Sequence, residues 1–302
     1  MLISILTVLL SWTSIGLNTP AAELEVIQPL IEVNQEVGGP LRIHPENVGI
    51  EITAQSAIAL DEKTGQLLYK KNHQEVRPLA SLTKLWTIAA ALDSGVADDA
   101  IVTMLAADER NGSARRLYRG ERLLVKDAIA ATLVASDNSV AAALARATSG
   151  ENELSTYLNL PSEKLGLLNT LIAEPSGLSA ANTSTAEDVA AMARDMLTLP
   201  YIQDIASVSE YYFRVVGSGR SVRLENTNLL LSKDWPTIIA GKTGYTPEAG
   251  YNLAVLAENE TGQKIVVVVM GSEQLTDRFQ DTKNIIYWVF NNWQWKESGN
   301  LE

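Results

Sequence analysis

Alternating and short apolar runs place a β-hairpin early in the patterned part of the chain. Ser56-Ala57-Ile58-Ala59-Leu60 and Gln66-Leu67-Leu68-Tyr69-Lys70 flank a Gly-containing turn from Asp61 to Gly65. Residues 81–93 (SLTKLWTIAAALD) predict an apolar helix, and residues 126–148 predict two Ala-rich helical stretches interrupted at Ser136-Asp137-Asn138. Thr185 to Leu197 predicts a further helix, with Ser184 or Thr185 as N-cap and Glu187 and Asp188 set against its positive end. The last third turns to strands, at Tyr211 to Val216, Thr237 to Lys242, Tyr251 to Ala257 and Ile265 to Met270. A final helix spans roughly Asp277 to Asn292. Helices framed by strands at both ends predict an α/β (α+β) sandwich with a mostly antiparallel sheet and an N-terminal edge hairpin.

The ends of the chain read differently. Residues 1–22 hold no charged side chain, and the aliphatic run Leu2 to Leu10 is followed by the small-residue stretch Asn18-Thr19-Pro20-Ala21-Ala22. That pattern predicts a secretory signal or, since no basic residue precedes the run, an uncleaved membrane anchor. Residues 23–50 carry Pro29, Gly38-Gly39-Pro40 and Pro45 with little periodicity and read as a linker. A folded domain is expected over 51–295 and a polar tail over 296–302.

Composition narrows the chemistry. The absence of Cys removes thiolate nucleophiles, thiolate metal sites and disulfides together. With only His44 and His73 present, no His-rich metal site can be assembled, so neither metal nor cofactor is expected. A net charge of -12 argues against nucleic acid as the main partner. The basic cluster Arg115, Arg116, Arg119 and Arg122 reads as a solvated face.

Three short motifs carry the candidate chemistry: Ser81-Leu82-Thr83-Lys84, Ser136-Asp137-Asn138 and Lys242-Thr243-Gly244. Each has decoys or is short enough to arise by chance. Lys-Thr-Gly also occurs at 63–65, in the hairpin turn, and Ser-x-Asn recurs at Ser298 in the polar tail. Order and context select the functional set. Ser81 and Lys84 lie three apart at a helix start and so share a face, where free N–H groups and the helix dipole favour a developing anion. Without a nearby His, a lysine can act as base if burial and the charge of Lys242 destabilise its ammonium. Ser136 would relay a proton, Asn138 would hold a substrate amide, Lys242 and Thr243 would meet a carboxylate, and Gly244 would let a substrate lie against the strand.

With these motifs in place, the sequence resembles the low-molecular-weight penicillin-binding proteins, the serine-type D-alanyl-D-alanine carboxypeptidases and endopeptidases. The resemblance runs over about residues 54–292 and includes Arg77-Pro78-Leu79-Ala80, Glu174-Pro175-Ser176-Gly177-Leu178-Ser179, Asn226-Thr227-Asn228-Leu229-Leu230 and Ala249-Gly250-Tyr251-Asn252-Leu253. It implies the penicillin-binding-protein/β-lactamase-like fold, an antiparallel sheet packed with helices plus a mainly helical subdomain. It also implies an acyl-enzyme on Ser81, an oxyanion hole from the backbone N–H groups of Ser81 and Tyr245, and peptidoglycan stem peptides as substrates. β-Lactams would be covalent inhibitors. The implied location is the periplasm or the outer face of the cytoplasmic membrane, with any membrane attachment through residues 1–22. Asp137, where the family often has Gly, brings in the class A-like β-lactamase as the alternative. Glu174 would be its water-activating carboxylate, although the setting of Glu174 resembles the peptidase loop. A catalytically silent wall-binding protein is the third reading, opposed by the intact Ser81 and Lys84.

Overall fold

The structure is a computed structural model that describes residues 38–231 and 238–295. The signal or anchor segment 1–22, residue Thr237 and the tail 296–302 lie outside the described residues. Five strands form the central sheet: β1 (Ser56–Asp61), β2 (Leu67–Lys71), β3 (Ile238–Thr246), β4 (Gly250–Glu258) and β5 (Lys264–Ser272). Their order is β3-β4-β5-β1-β2, and every neighbouring pair is antiparallel. The N-terminal hairpin therefore occupies one edge, and Lys242-Thr243-Gly244 lies on the other.

Helices cover both faces. On one side lie α1 (Lys84–Asp93), α2 (Val125–Leu133), α3 (Asn138–Thr148), α4 (Leu154–Leu165), α5 (Ala186–Leu197) and the short α6 (Pro200–Ala206). On the other lies α7 (Asp277–Asn292). Strand β5 shows why. Val266, Val268 and Met270 pack into the core shared with the helical subdomain, while Ile265, Val267 and Val269 pack with Phe279, Ile285, Ile286 and Val289 of α7. Period-two alternation sends successive side chains to opposite faces, and both faces are apolar because both are covered. Each such valine or isoleucine contributes about 1.5–3 kcal/mol by leaving water.

The architecture thus has the antiparallel sheet, edge hairpin and helical subdomain expected. Several boundaries differ. Residues 80–83 form a 3-10 turn, and α1 begins only at Lys84, because Ala80 sits at φ +47° and delays the helix. Thr185 is the N-cap of α5, accepting the Asp188 N–H. The strand expected to end at Lys242 runs on to Thr246 as β3. The apolar pattern also passes over α4, whose interior Pro161 reads as a breaker, and over the strand Ser221–Glu225 paired with Glu210–Arg214. Residues 38–50, read as linker, are held to the domain. Leu41–Arg42 pairs antiparallel with Trp293–Gln294, and Asn47 Nδ2 donates to Asn292 Oδ1 at 2.7 Å. A two-residue strand stabilised by a partner about 250 positions away leaves no local pattern to read.

Candidate active site

The site forms where the 3-10 turn, the α2–α3 junction and β3 converge. Asn252 of β4 anchors the segment leading into Ser81: its Nδ2 donates to Leu79 O at 3.0 Å, and its Oδ1 accepts from Gly271 N at 2.8 Å. Gly244 lets β3 approach the turn. A methyl group there would stand 3.1 Å from Ser81 N and 3.2 Å from Leu82 N. Gly177 is more tightly constrained, at φ +85° with a Cβ position 2.0 Å from Ala80 O. At the α2–α3 junction Ser136 takes φ +54°, and Asp137 caps α3 by accepting from Ser139 N at 3.0 Å and Val140 N at 3.1 Å. Left-handed backbone at a residue other than glycine is strained and persists only where its surroundings hold it.

Lys84 is fully buried at the centre. Its Nζ lies 2.8 Å from Ser81 Oγ, donates to Asn138 Oδ1 at 2.7 Å and donates to the Ser176 carbonyl. The last two partners accept only, so they consume two N–H protons and leave the remaining tetrahedral direction for Ser81. In the amine form that direction holds the lone pair. Burial pulls the Lys84 pKa down to about 7, against the opposing charges of Glu174 and Asp137.

A second serine–lysine pair mirrors the first. Lys242 Nζ donates to Ser136 Oγ and to the Thr243 carbonyl, both at 2.8 Å. Lys242 is also buried, and burial, then the charges of Lys84 and Arg278, hold its pKa well below the usual lysine value. Thr243 Oγ1 lies 2.6 Å from Thr227 Oγ1. Tyr245 is half exposed and stacks on Tyr251, ring centroids 4.2 Å apart.

Asn138 is more committed than its sequence position implies. Besides binding Lys84, its carboxamide donates from Nδ2 to Asn111 O at 2.8 Å, which leaves one N–H for any further partner. The loop carrying Asn111 also supplies Ser113 Oγ to the Asn138 N–H at 3.1 Å. Within the basic cluster, Arg115 and Arg119 flank Glu109, and the charge of Arg116 reaches the buried Asp137.

Arg278 went unnoticed in the sequence. Its Nη1 donates to Gly244 O at 3.1 Å, its guanidinium lies 5.4 Å from the Tyr251 ring centroid, and burial lowers its pKa to about 10. A readable signal did exist: a cation in the first turn of a helix opposes the dipole and needs a reason.

Glu174 occupies its own loop. Oε2 accepts from Ser176 N at 2.9 Å and Ser176 Oγ at 2.6 Å; Oε1 accepts from Gly177 N at 2.6 Å and Leu178 N at 2.8 Å. Burial alone would raise its pKa, but these hydrogen bonds bring it below the ordinary carboxylate value. Both oxygens are thus engaged in holding the loop whose Ser176 carbonyl meets Lys84.

The three motifs thus come together in space, with a serine hydroxyl 2.8 Å from a fully buried lysine beside a sheet edge. The sequence profile of the D-alanyl-D-alanine carboxypeptidase family matches residues 42–274, and the chain belongs to that family. It is 33% identical over 248 residues to the D-alanyl-D-alanine carboxypeptidase DacF of Bacillus subtilis, covering 80% of this chain and 63% of that protein. It is 29% identical over 242 residues to a D-alanyl-D-alanine endopeptidase of Pseudomonas aeruginosa, covering 79% of this chain and 78% of the relative. The chain thus spans somewhat under two thirds of the Bacillus relative. The crystal structure of the Streptomyces K15 DD-transpeptidase superposes with a TM-score of 0.76 at 26% identity, covering 80% of this chain and 99% of the other.

Proposed function

We propose that the protein is a serine D-Ala-D-Ala carboxypeptidase of peptidoglycan stem peptides, with the cutting of D-Ala-containing cross-links as a second use of the same site. The observation that carries this reading is the pair of buried lysines, each within 2.8 Å of a serine hydroxyl. Ser81 Oγ attacks the carbonyl of the penultimate D-Ala while its proton passes to the Lys84 amine. Backbone N–H groups of Ser81 and Tyr245 receive the oxyanion. Collapse breaks the C–N bond, and a proton reaches the departing D-Ala amine through Ser136. Water then hydrolyses the ester, returning Ser81 and releasing the shortened peptide. Lys242 and Thr243 hold the terminal carboxylate, with the Arg278 guanidinium adding positive charge behind Gly244. Asn138 keeps Lys84 in place and offers its remaining N–H to the substrate backbone.

The same geometry makes β-lactams acylating inhibitors. A rapid lactamase needs a carboxylate free to activate water, and Glu174 is saturated by its own loop. Substrates on the wall place the protein outside the cytoplasmic membrane, exported through residues 1–22. Among the described residues no helix is long and apolar enough to cross a membrane.

Digestion of purified sacculi, read by mass spectrometry, tests the activity. Stem peptides shortened by one D-Ala are expected, and loss of cross-linked dimers would add the endopeptidase role. Sacculi left intact by enzyme that labels with fluorescent penicillin would overturn the peptidase reading. C-terminally amidated peptides should be poor substrates, and equal turnover of acid and amide would remove the carboxylate role from Lys242 and Thr243.

A further inference from the structure

Thr227 is placed with more care than a loop residue needs. Its N–H donates to Val134 O at 3.1 Å, at the end of α2. The residues on either side are tied down as well: Asn226 Nδ2 donates to Val208 O at 3.0 Å, and Asn228 N donates to Asn226 Oδ1 at 2.9 Å. The hydroxyl held this way meets Thr243 Oγ1 at 2.6 Å.

Two hydroxyls at that distance share one proton between them, and the direction matters. If Thr243 donated to Thr227, its proton would be spent and its lone pairs would face the groove, repelling a carboxylate. If Thr227 donates, Thr243 accepts and its own proton is free to point outward. A carboxylate can only accept, so its arrival requires the second arrangement. The resulting chain, Thr227 to Thr243 to carboxylate, is also polarised in one direction, which strengthens each bond.

We propose that Thr227 is a positioning residue for substrate recognition: its hydroxyl donates to Thr243 Oγ1 and turns the Thr243 proton toward the terminal carboxylate of the substrate. The proposal rests on the carboxylate-binding role given to Thr243 under Proposed function.

The test compares an N-acyl D-Ala-D-Ala peptide with its C-terminal amide, in the wild type and in Thr227→Val, which keeps the shape and removes the hydroxyl. For the free acid, Thr227→Val should raise KM roughly three- to tenfold, the effect of losing one reinforcing hydrogen bond, with kcat changed less than about twofold. Turnover of the amide should be the same in both proteins, and Thr227→Ser should restore the wild-type KM for the acid. A purely structural role would slow both substrates together and would overturn the proposal. So would Thr227→Val with a wild-type KM for the acid, provided the wild type still prefers acid over amide. A wild type that shows no such preference overturns the underlying carboxylate reading, and the proposal with it. If circular dichroism shows that Thr227→Val does not fold, Thr227→Ala carries the same comparison.

Discussion

In the proposed reaction Lys84 is the base that takes the Ser81 proton. Below a pH of about 7 it is an ammonium and has no lone pair for the Ser81 proton; above that value the amine can accept it. The kcat/KM for D-Ala release should therefore rise with pH through about 7, by about tenfold per unit on the acid side. A profile flat from pH 5.5 to 8 would show that Lys84 does not act as the base. The same shift bears on stability. The folded pKa lies below the ordinary 10.5, so the folded state penalises the charged form. That penalty is complete below about 7 and fades as pH rises toward 10.5. Lys84→Met removes it, so the Tm of Lys84→Met minus that of the wild type should be larger at pH 6 than at pH 9.5. Ser81→Ala should abolish both penicillin labelling and D-Ala release. Lys84→Ala should cost about 10²–10⁴-fold, the usual contribution of general-base help. Ser81, Lys84, Ser136 and Lys242 were all legible as motif residues. Arg278 belongs to none of the motifs: its place in the first turn of α7 was a signal, but its partners Gly244 and Tyr251 are met only in the folded chain.

At the scale of elements, the loop from Glu174 to Ser179 works as a brace. Its carboxylate gathers four backbone N–H groups from residues 176–179, its Ser176 carbonyl meets Lys84, and the Pro175 carbonyl accepts from Thr87 Oγ1 at 2.8 Å. Gly177→Ala places a methyl against Ala80 O in a left-handed backbone, so the turn holding Ser81 must move. That variant should lose Tm and acylate with penicillin at least about tenfold more slowly, a barrier change of the size a small misplacement of reacting groups produces. Glu174→Gln separates peptidase from lactamase. With the carboxylate committed to its loop, the penicilloyl-enzyme should be long-lived, and Glu174→Gln should change its lifetime by less than about tenfold. Rapid wild-type decay that Glu174→Gln arrests, followed by intact-protein mass spectrometry, would favour the lactamase. The Glu-Pro-Ser-Gly-Leu-Ser run marked this loop as a feature. Which way its carboxylate points was a property of the folded loop, because several donors within reach of one side chain outcompete solvent.

Across the whole molecule, the two ends of the described chain meet. Leu41–Arg42 joins Trp293–Gln294, Ile43 N donates to Asn292 O at 2.9 Å, and Gln66 Nε2 donates to Pro40 O at 3.0 Å. A chain beginning at Gly38 should keep the Tm and activity of the full-length protein. One beginning at Glu51 should lose Tm by several degrees while labelling with penicillin at low temperature, since the strand pairing it removes joins the end of α7 rather than the Ser81 turn. Equal Tm values for the two truncations would return residues 38–50 to the status of linker. Local chemistry alone determined much of this protein: the edge hairpin, α1, the interrupted α2–α3 pair, α7, and three motifs in order on suitable elements. Those features are written in the side-chain period, in caps and in residue type, all of which act within a few positions. Only the tertiary structure decided that Asn138 serves Lys84, that Arg278 stands behind Gly244, that Thr227 meets Thr243 and that residues 41–42 complete a sheet with residues 293–294. Each of these unites groups far apart along the chain, and their energies exist only once burial and backbone pairing have brought them within hydrogen-bonding distance.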